Sequence, residues 1–267
     1  SSPPILLVNP PSPRGTTANR EGFGGLGVLL EGRRGFRYPA QMLAEAAAML
    51  GAGGRPFRAA DCEFEPWRGP RRLFRGLAPG ESGISVLLQS SGVTLDDDLR
   101  WLAQRLGTRR VRLHVAGTGL KACLERIRGL WPDAVVATGA TGFEAAANWL
   151  PADPGPAGPD AFPFADWDSL PLGRARRLPI YHARGCSREC LYCPYVLATG
   201  RTLVERSAKR TFEEFLHQVR RHRPRRVVFR DPAFGLARES SLELLDRIAS
   251  LGAGERAPIE VETRPEL

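Results

Sequence analysis

The chain of 267 residues is long enough for one large domain or two of ordinary size, and its hydrophobic content of 42% is that of a folded globular protein. No apolar run approaches the roughly 20 residues that span a bilayer, and the N-terminus lacks the regions of a signal peptide. The formal net charge of +9 could indicate a nucleic-acid partner. Its densest basic run, residues 220–226, instead follows a helix-forming segment, where cations complement the helix dipole. We therefore expect neither nucleic acid nor a membrane as a partner.

Short apolar runs alternate with helix-forming segments over residues 1–150. The predicted strands cover residues 5–9, 84–89, 111–115 and 134–138, and the predicted helices cover residues 40–50, 95–106, 119–130 and 143–150. A glycine-rich loop is expected from Pro10 to about Tyr38. Strands that alternate with helices predict a parallel sheet covered on both faces. We therefore expect an α/β fold that begins with a Rossmann-like domain over residues 1–150.

Prolines interrupt this pattern over residues 151–178, which we interpret as a linker anchored by Trp167. The alternation then restarts and predicts about three βα units over residues 179–267. The predicted strands are residues 180–183, 227–230 and 259–262. The helix after the first of these strands is expected to begin with a capping box formed by Thr211 and Glu214.

Three cysteines lie together in the spacing C-x3-C-x2-C, at Cys186, Cys190 and Cys193. Three thiolates this close can hold three of the four irons of a 4Fe–4S cluster, which leaves one iron open to a small molecule. The alternative is a structural zinc site, in which His182 would be the fourth ligand. Zinc sites usually pair their ligands and place a second pair a dozen or more residues away, so this spacing favours the cluster. The remaining two cysteines stand alone, which is typical of a reducing cytoplasm.

The cysteine run, with Tyr192 directly before its third cysteine, resembles the motif of the radical S-adenosylmethionine (SAM) superfamily. The resemblance implies that the open iron chelates SAM, which one electron then cleaves to a 5′-deoxyadenosyl radical. It also implies a partial barrel of βα units, of which this chain holds the first part. In that barrel we expect Asp231, after the second strand, to bind the SAM amino group. Arg264, after the third strand, is expected to bind the SAM carboxylate.

The order of three further pieces resembles the cobalamin-dependent radical SAM enzymes. These pieces are a strand ending in Asn-Pro-Pro (residues 8–11), a Tyr-Pro turn before an alanine-rich helix (38–50) and Arg-Gly-Cys (184–186). The resemblance implies that residues 1–150 bind cobalamin without a histidine ligand. The expected contacts are Tyr192 for SAM and, for cobalamin, Asn9, Pro10, Gln89, Ser90, Ser91, Gly117, Thr118, Gly119 and Gly139. A nicotinamide site at residues 117–122 is an alternative, but the acidic residue that should follow it is missing.

By resemblance, the function is cobalamin-dependent radical SAM methyl transfer to an unactivated carbon or a phosphorus centre. The cofactors are then a 4Fe–4S cluster, SAM and cobalamin. The partners are a small-molecule or natural-product substrate and an external electron donor. The incomplete barrel leaves three alternatives: a fragment, one half of a split enzyme that needs a chain to complete the barrel, or a degenerate family member. A non-methylating rearrangement or oxidation is an alternative within the family. The alternative from another class is a zinc-stabilised basic binding protein.

Overall fold

The computed structural model describes residues 5–21, 27–32, 38–77, 83–118, 120–138, 142–147, 149–150, 158–173, 176–193, 195–196 and 200–266. Its elements in chain order are β1 (Ile5–Asn9), β2 (Thr16–Asn19), β3 (Val28–Glu31), α1 (Gln41–Ala52), β4 (Phe57–Asp61), α2 (Arg68–Leu73), β5 (Ile84–Ser91), α3 (Leu95–Leu106), β6 (Val111–Thr118), α4 (Leu124–Leu130), β7 (Val135–Thr138), α5 (Gly142–Ala147), β8 (Arg177–Ile180), β9 (Ala183–Arg184), β10 (Val204–Glu205), α6 (Ala208–His222), β11 (Arg226–Phe229), α7 (Arg238–Ala249) and β12 (Ile259–Val261). Short 3-10 helices cover Leu120–Cys123, Pro159–Ala161 and Ala253–Glu255. Among the described helices, none is both long and apolar enough to cross a membrane.

Five parallel strands form the first sheet, in the order β4-β1-β5-β6-β7. Successive side chains of a strand point to opposite faces. On β1, Ile5 and Leu7 therefore join the core that contains α1 and α5, whereas Leu6 and Val8 join the core beneath α3 and α4. Helices cover both faces, so the strands are apolar on both sides. The α/β class expected from the sequence is confirmed.

Helix α1 is buried on every side over residues 41–50, which explains why apolar residues occur on every face of the helix. One side packs on the first sheet, and another is covered by residues 158–173. The backbone N–H of Asp166 in that segment donates to the carbonyl oxygen of Ala44 at 2.9 Å. Trp167, the expected anchor, is 3% exposed. Residues 158–173, the part of the proline-rich segment that the structure describes, thus contribute to the core.

The second sheet has three parallel strands in the order β12-β11-β8, and β9 pairs antiparallel with β10 beside it. Helices α6 and α7 pack on it through buried side chains such as Phe215 and Leu244. The same apolar core runs from Leu7 of the first sheet through Trp167 to Phe229 of the second. The two α/β units therefore share one core, and the division of the chain at residues 151–178 stays a prediction.

Four strands, β2, β3, β4 and β8, differ from the sequence-based expectation. The segment expected to be a loop contains the antiparallel hairpin of β2 and β3. Strand β4 is absent from the prediction because Arg58 interrupts its short apolar run. Strand β8 occupies Arg177–Ile180, not residues 180–183. The strand accommodates Pro179 because β8 is an outer strand, where a missing N–H costs little.

The predicted capping box of Thr211 and Glu214 is wrong. Helix α6 begins earlier, at Ser207, whose side-chain oxygen accepts the backbone N–H of Arg210 at 3.1 Å. Thr211 and Glu214 lie inside the helix and are buried. Their polar atoms bond to neighbouring segments, because the helix is packed between the second sheet and residues 158–173.

Candidate functional site

The three clustered cysteines lie on one loop that leaves the second sheet through β9. Gly185 opens this loop at φ +79°, and a Cβ atom there would lie 1.9 Å from the carbonyl oxygen of Thr202, so only glycine fits. The backbone N–H of Cys186 donates to Gly200 O at 3.1 Å, and that of Cys193 donates to Cys190 O at 3.1 Å. These bonds fold the loop back on itself beside the carboxyl end of β8. Cys186 is buried, and the other two cysteines are half-buried free thiols.

Three thiols are the donors that a 4Fe–4S cluster with one open iron requires, whereas a structural zinc ion needs a fourth ligand. Within the described residues, no three His, Cys, Asp or Glu side chains form a group that could hold a single metal ion. His182, the fourth ligand of the zinc alternative, is fully buried, and its Nδ1 lies 3.0 Å from Thr211 Oγ1 and its Nε2 3.1 Å from Ser240 Oγ. Both ring nitrogens are therefore engaged away from the loop.

Arg264 is brought to the cysteine loop by the end of β12. Its Nη1 donates to Cys190 Sγ at 3.4 Å, and its Nε lies 2.6 Å from a carboxylate oxygen of Glu266. The end of β12 thus places a cationic side chain in direct contact with one of the three cysteines. Tyr192, expected to contact SAM, is 89% exposed at the surface of the loop.

Asp231 lies at the end of β11, as expected, but its carboxylate is already engaged. Its two oxygens accept the backbone N–H groups of His182 and Ala183, each at 2.9 Å, and the residue is 3% exposed. These bonds fix the turn that joins β8 to β9 and so to the cysteine loop. Burial raises the pKa of Asp231 to about 7, although the two N–H bonds act in the opposite direction.

The first sheet has the strand order of a doubly wound fold whose ligand crevice lies outside the carboxyl ends of β1 and β5. Arg20 fills this crevice. Its Nη1 donates to Asn9 Oδ1 at 3.0 Å and to Pro10 O at 2.9 Å, and its Nε donates to Asp98 Oδ2 at 2.9 Å. Ser90 Oγ donates to the same Asp98 oxygen at 2.8 Å. Three expected cobalamin contacts, Asn9, Pro10 and Ser90, are thus bonded within the protein.

The remaining expected contacts lie along the same edge of the sheet where they are described. Gln89 is 2% exposed and donates from Nε2 to Glu21 Oε1 at 2.6 Å. Ser91 Oγ lies 2.9 Å from Thr94 Oγ1. At Gly117 a Cβ atom would lie 1.8 Å from Ser90 O, so close strand packing explains this glycine. Of the other contacts, Thr118 ends β6 in register with Ser91, and Gly119 and Gly139 lie outside the described residues.

An ion pair that sequence reasoning missed, between a buried carboxylate and a partly buried guanidinium, joins the two α/β units. Glu45 of α1 is 3% exposed, and its Oε1 lies 2.5 Å from Nη2 of Arg184. Its other oxygen accepts the backbone N–H of Gly142 at 2.9 Å, at the start of α5. The Arg184 guanidinium also stacks 3.9 Å from the ring centre of Tyr181. One sequence signal was available, because Glu45 is the only charged residue of the alanine-rich helix.

A second contact between the units involves Arg230, which directly precedes Asp231. Its guanidinium donates to the backbone oxygen of Glu21 and lies 4.4 Å from the ring centre of Tyr38. The Glu21 carboxylate in turn accepts the backbone N–H of Met42 at the start of α1, at 2.8 Å. The carboxyl ends of both sheets therefore face a common region, beside the cysteine loop.

Solved structures with this fold are cobalamin-dependent and radical SAM enzymes. The radical S-adenosylmethionine methyltransferase TsrM from Kitasatospora setae, with tryptophan substrate and the SAM analogue aza-SAM bound, matches over 98% of this chain with a TM-score of 0.65 and 14% identity. TsrM with cobalamin and a 4Fe–4S cluster bound matches over 93%, with a TM-score of 0.61 and 12% identity. The cobalamin-dependent SAM radical enzyme OxsB, with aqua-cobalamin and SAM bound, matches over 96%, with a TM-score of 0.64 and 11% identity.

The chain spans 55% of the length of the first TsrM structure and 38% of that of OxsB. No protein-family model matches the sequence. No curated protein matches it either. At this low identity the likeness establishes the fold: an α/β chain with the architecture of cobalamin-dependent radical SAM enzymes, as the sequence motifs predicted.

The Glu45–Arg184 pair gives a prediction for stability. Glu45→Ala leaves Arg184 and the Gly142 N–H without their acceptor, so the free energy of unfolding should fall by about 3 kcal/mol. Glu45→Gln keeps one acceptor oxygen and should lose less. The matched control is Glu243→Ala, which breaks an exposed pair with Arg247 and should cost less than about 0.5 kcal/mol. Urea unfolding measures all three, and equal losses for Glu45→Ala and Glu243→Ala would contradict the role of the buried pair.

The raised pKa of Asp231 gives a prediction for pH. A carboxyl group whose pKa is higher in the folded chain binds its proton more tightly when folded. Its contribution to stability is therefore complete below the unfolded pKa of about 4 and is lost as the pH rises through about 7. In Asp231→Asn, the slope of unfolding free energy against pH over this window should become less negative, by at most about 1.4 kcal/mol per pH unit. Urea unfolding at a series of pH values tests this, and identical slopes would show that Asp231 does not titrate there.

Proposed function

We propose that this chain is the cofactor-binding part of a cobalamin-dependent radical SAM enzyme, with methyl transfer to an unactivated carbon or a phosphorus centre as its reaction. The observation that carries the proposal is the C-x3-C-x2-C loop placed at the carboxyl end of the second sheet, in a fold shared with TsrM and OxsB. The substrate is proposed to be a small molecule or natural product, as tryptophan is for TsrM. The two lone cysteines support a reducing, cytoplasmic setting.

In this proposal Cys186, Cys190 and Cys193 hold a 4Fe–4S cluster. When bound, the cluster with SAM supplies radical chemistry and cobalamin supplies the methyl group. Arg264 keeps positive charge beside Cys190 and is suited to the SAM carboxylate, because a guanidinium pairs with a carboxylate through two parallel bonds. Asp231 supports the site by fixing the turn before the cysteine loop, and its predicted contact with the SAM amino group remains a proposal.

The cobalamin contacts are proposed along the β5–β6 part of the sheet edge. Arg20 fills the crevice between β1 and β5, so a large ligand at that point would have to displace a fully bonded guanidinium. On the β5 side, Gln89 carries a buried Oε1 for which the described residues provide no hydrogen-bond partner. Ser91, Gly117 and Thr118 follow along the same edge. This position faces the second sheet, where the cysteine loop lies.

A non-methylating radical reaction is the second candidate. OxsB is described as a cobalamin-dependent radical enzyme, not as a methyltransferase, and its fold matches this chain almost as well as that of TsrM. The zinc-stabilised binding protein has less support, because both ring nitrogens of His182 are engaged elsewhere.

The cluster prediction tests the proposal directly. Anaerobic reconstitution of the whole chain with iron and sulfide should give about four irons per chain and a broad visible absorption. Changing any one of Cys186, Cys190 or Cys193 to Ala should abolish both the bound iron and the visible absorption, because each thiolate is proposed to hold one iron. Cys123→Ala, outside the loop, and His182→Gln should both retain the iron. One tightly held zinc per chain and no iron would refute the proposal.

The cobalamin prediction uses the whole chain, because its two units share one core. Hydroxocobalamin should bind in the base-off form, without a histidine on cobalt. His114 is buried, packs 4.2 Å from the ring centre of Trp149 and has its pKa lowered to about 4 by burial, so it serves as the control. His114→Ala should leave the visible spectrum of bound cobalamin unchanged. Absence of binding at high micromolar cobalamin by the folded chain would remove the methyl-transfer proposal.

A partner for the second sheet is also proposed, together with an external electron donor. Strand β12 is an outer strand of the described sheet, and its residues Ile259–Val261 are only half-buried. Outer strands with free backbone groups invite further pairing. Light scattering of the chain at rising concentration should show association, and a monomer at every concentration would contradict a need for added strands.

A further inference from the structure

A cavity of about 170 Å³ lies between the two α/β units. Its walls come from α1 and α5 of the first unit and from the turn before β9, β10 and α6 of the second. Arg184, which lines it, is two residues from Cys186. The cavity therefore adjoins the cysteine loop on one side and the helices of the first sheet on the other.

Aromatic rings make part of this cavity suitable for a flat ligand. Phe143 and Phe162 both line it and stack at 4.7 Å between ring centres, with 6° between their planes. Tyr181 adds a third ring beneath the Arg184 guanidinium. An apolar cavity of about 150 Å³ can hold benzene, so the space fits a single ring with a short substituent.

The charges around the cavity disfavour an anion. Arg184 pairs with Glu45, and Arg206 pairs with Glu214. Glu144 also lines the cavity, but its side chain is exposed to solvent. Burial lowers the pKa of His182 to about 4, so its ring adds no positive charge near neutral pH. Each guanidinium is thus already paired with a carboxylate, and an anionic ligand finds no unpaired positive charge in the cavity.

Two residues that line the cavity have polar atoms without hydrogen-bond partners, which favours a ligand that carries both an acceptor and a donor. The Nε and Nη2 atoms of Arg206 are buried, and among the described residues they have no partner. The same holds for Oε1 of Gln41. Both residues line the cavity. Unsatisfied buried groups of this kind are costly, so a carbonyl oxygen for Arg206 and an N–H for Gln41 would each be favourable. A cationic ligand supplies no acceptor.

We propose that this cavity binds a small, uncharged aromatic amide or lactam, either as the substrate or as the part of a larger substrate that is recognised. Its role as a substrate site rests on the proposed radical function. Binding itself requires neither the cluster nor cobalamin, since the cavity is formed by the chain alone. A failure of binding and a failure of the cluster prediction are therefore separate results.

The test compares three molecules of nearly identical shape: benzamide, which is neutral, benzoate, which is an anion, and benzamidine, which is a cation. Ligand-observed NMR titrations use the whole chain without added iron or cobalamin. Benzamide should bind saturably and at least about tenfold more tightly than the other two, the effect of one hydrogen bond to a charged group. Equal binding of all three, tighter binding of benzoate or benzamidine, or no saturable binding would overturn the proposal.

Two substitutions of cavity residues test whether benzamide binds in this cavity. Arg206→Lys keeps the charge opposite Glu214 but loses the planar donor group, so benzamide should bind about tenfold more weakly. Phe162→Leu removes one stacked ring and should also weaken the binding of benzamide. This variant provides a second test if Arg206→Lys fails to fold. The control, Arg126→Lys, changes an arginine that is half exposed and pairs with Asp96. Unchanged binding by folded cavity variants, or a loss equal to that of the control, would show that benzamide binds elsewhere.

Discussion

The buried contact between Glu45 and Arg184 is the constraint on which the arrangement of the two units depends. Glu45 is the only charged residue of helix α1, and its carboxylate is bonded to a guanidinium from the other unit and to the N–H of Gly142. A buried pair of this kind contributes little net stability over an apolar contact, but it strongly disfavours geometries that separate its partners. Because Arg184 is two residues from Cys186, the position of the cysteine loop follows from the position of α1. The cavity between the units is bounded by the same pair.

Arg20 imposes the second constraint, at the edge of the first sheet. In a doubly wound sheet, the crevice at the switch in strand order is the usual ligand site. Here a guanidinium occupies it with charged and backbone acceptors, and Asp98 is in turn bonded to Ser90. Other proposed cobalamin contacts, Gln89, Ser91 and Gly117, lie on β5 and β6, to one side of this guanidinium.

The prediction from sequence was accurate where a signal is local. The alternation of strands and helices gave the parallel sheet, and the cysteine spacing gave the loop at the end of the second sheet. The prediction was wrong where a local pattern fits the sequence but tertiary contacts favour another structure. Thr211 and Glu214 match a capping box, but the chain begins α6 at Ser207 and uses both residues for tertiary contacts. The predicted strand at residues 180–183 is also wrong, because β8 covers Arg177–Ile180 and includes Pro179, which an outer strand tolerates.

The sequence by itself determined the α/β class, the two alternating segments and the grouping of three cysteines, because periodicity and spacing are properties of neighbouring residues. Only the tertiary structure decided which polar side chains can bind a ligand and which are bonded within the protein. Asn9 and Asp231 have the chemistry of binding residues, yet Asn9 is bonded to Asp61, 52 residues away, and Asp231 to His182, 49 residues away. Glu45 and Arg184 are 139 residues apart and meet only in the fold. Pairing of this kind depends on how the sheets and helices pack, and no local pattern encodes it.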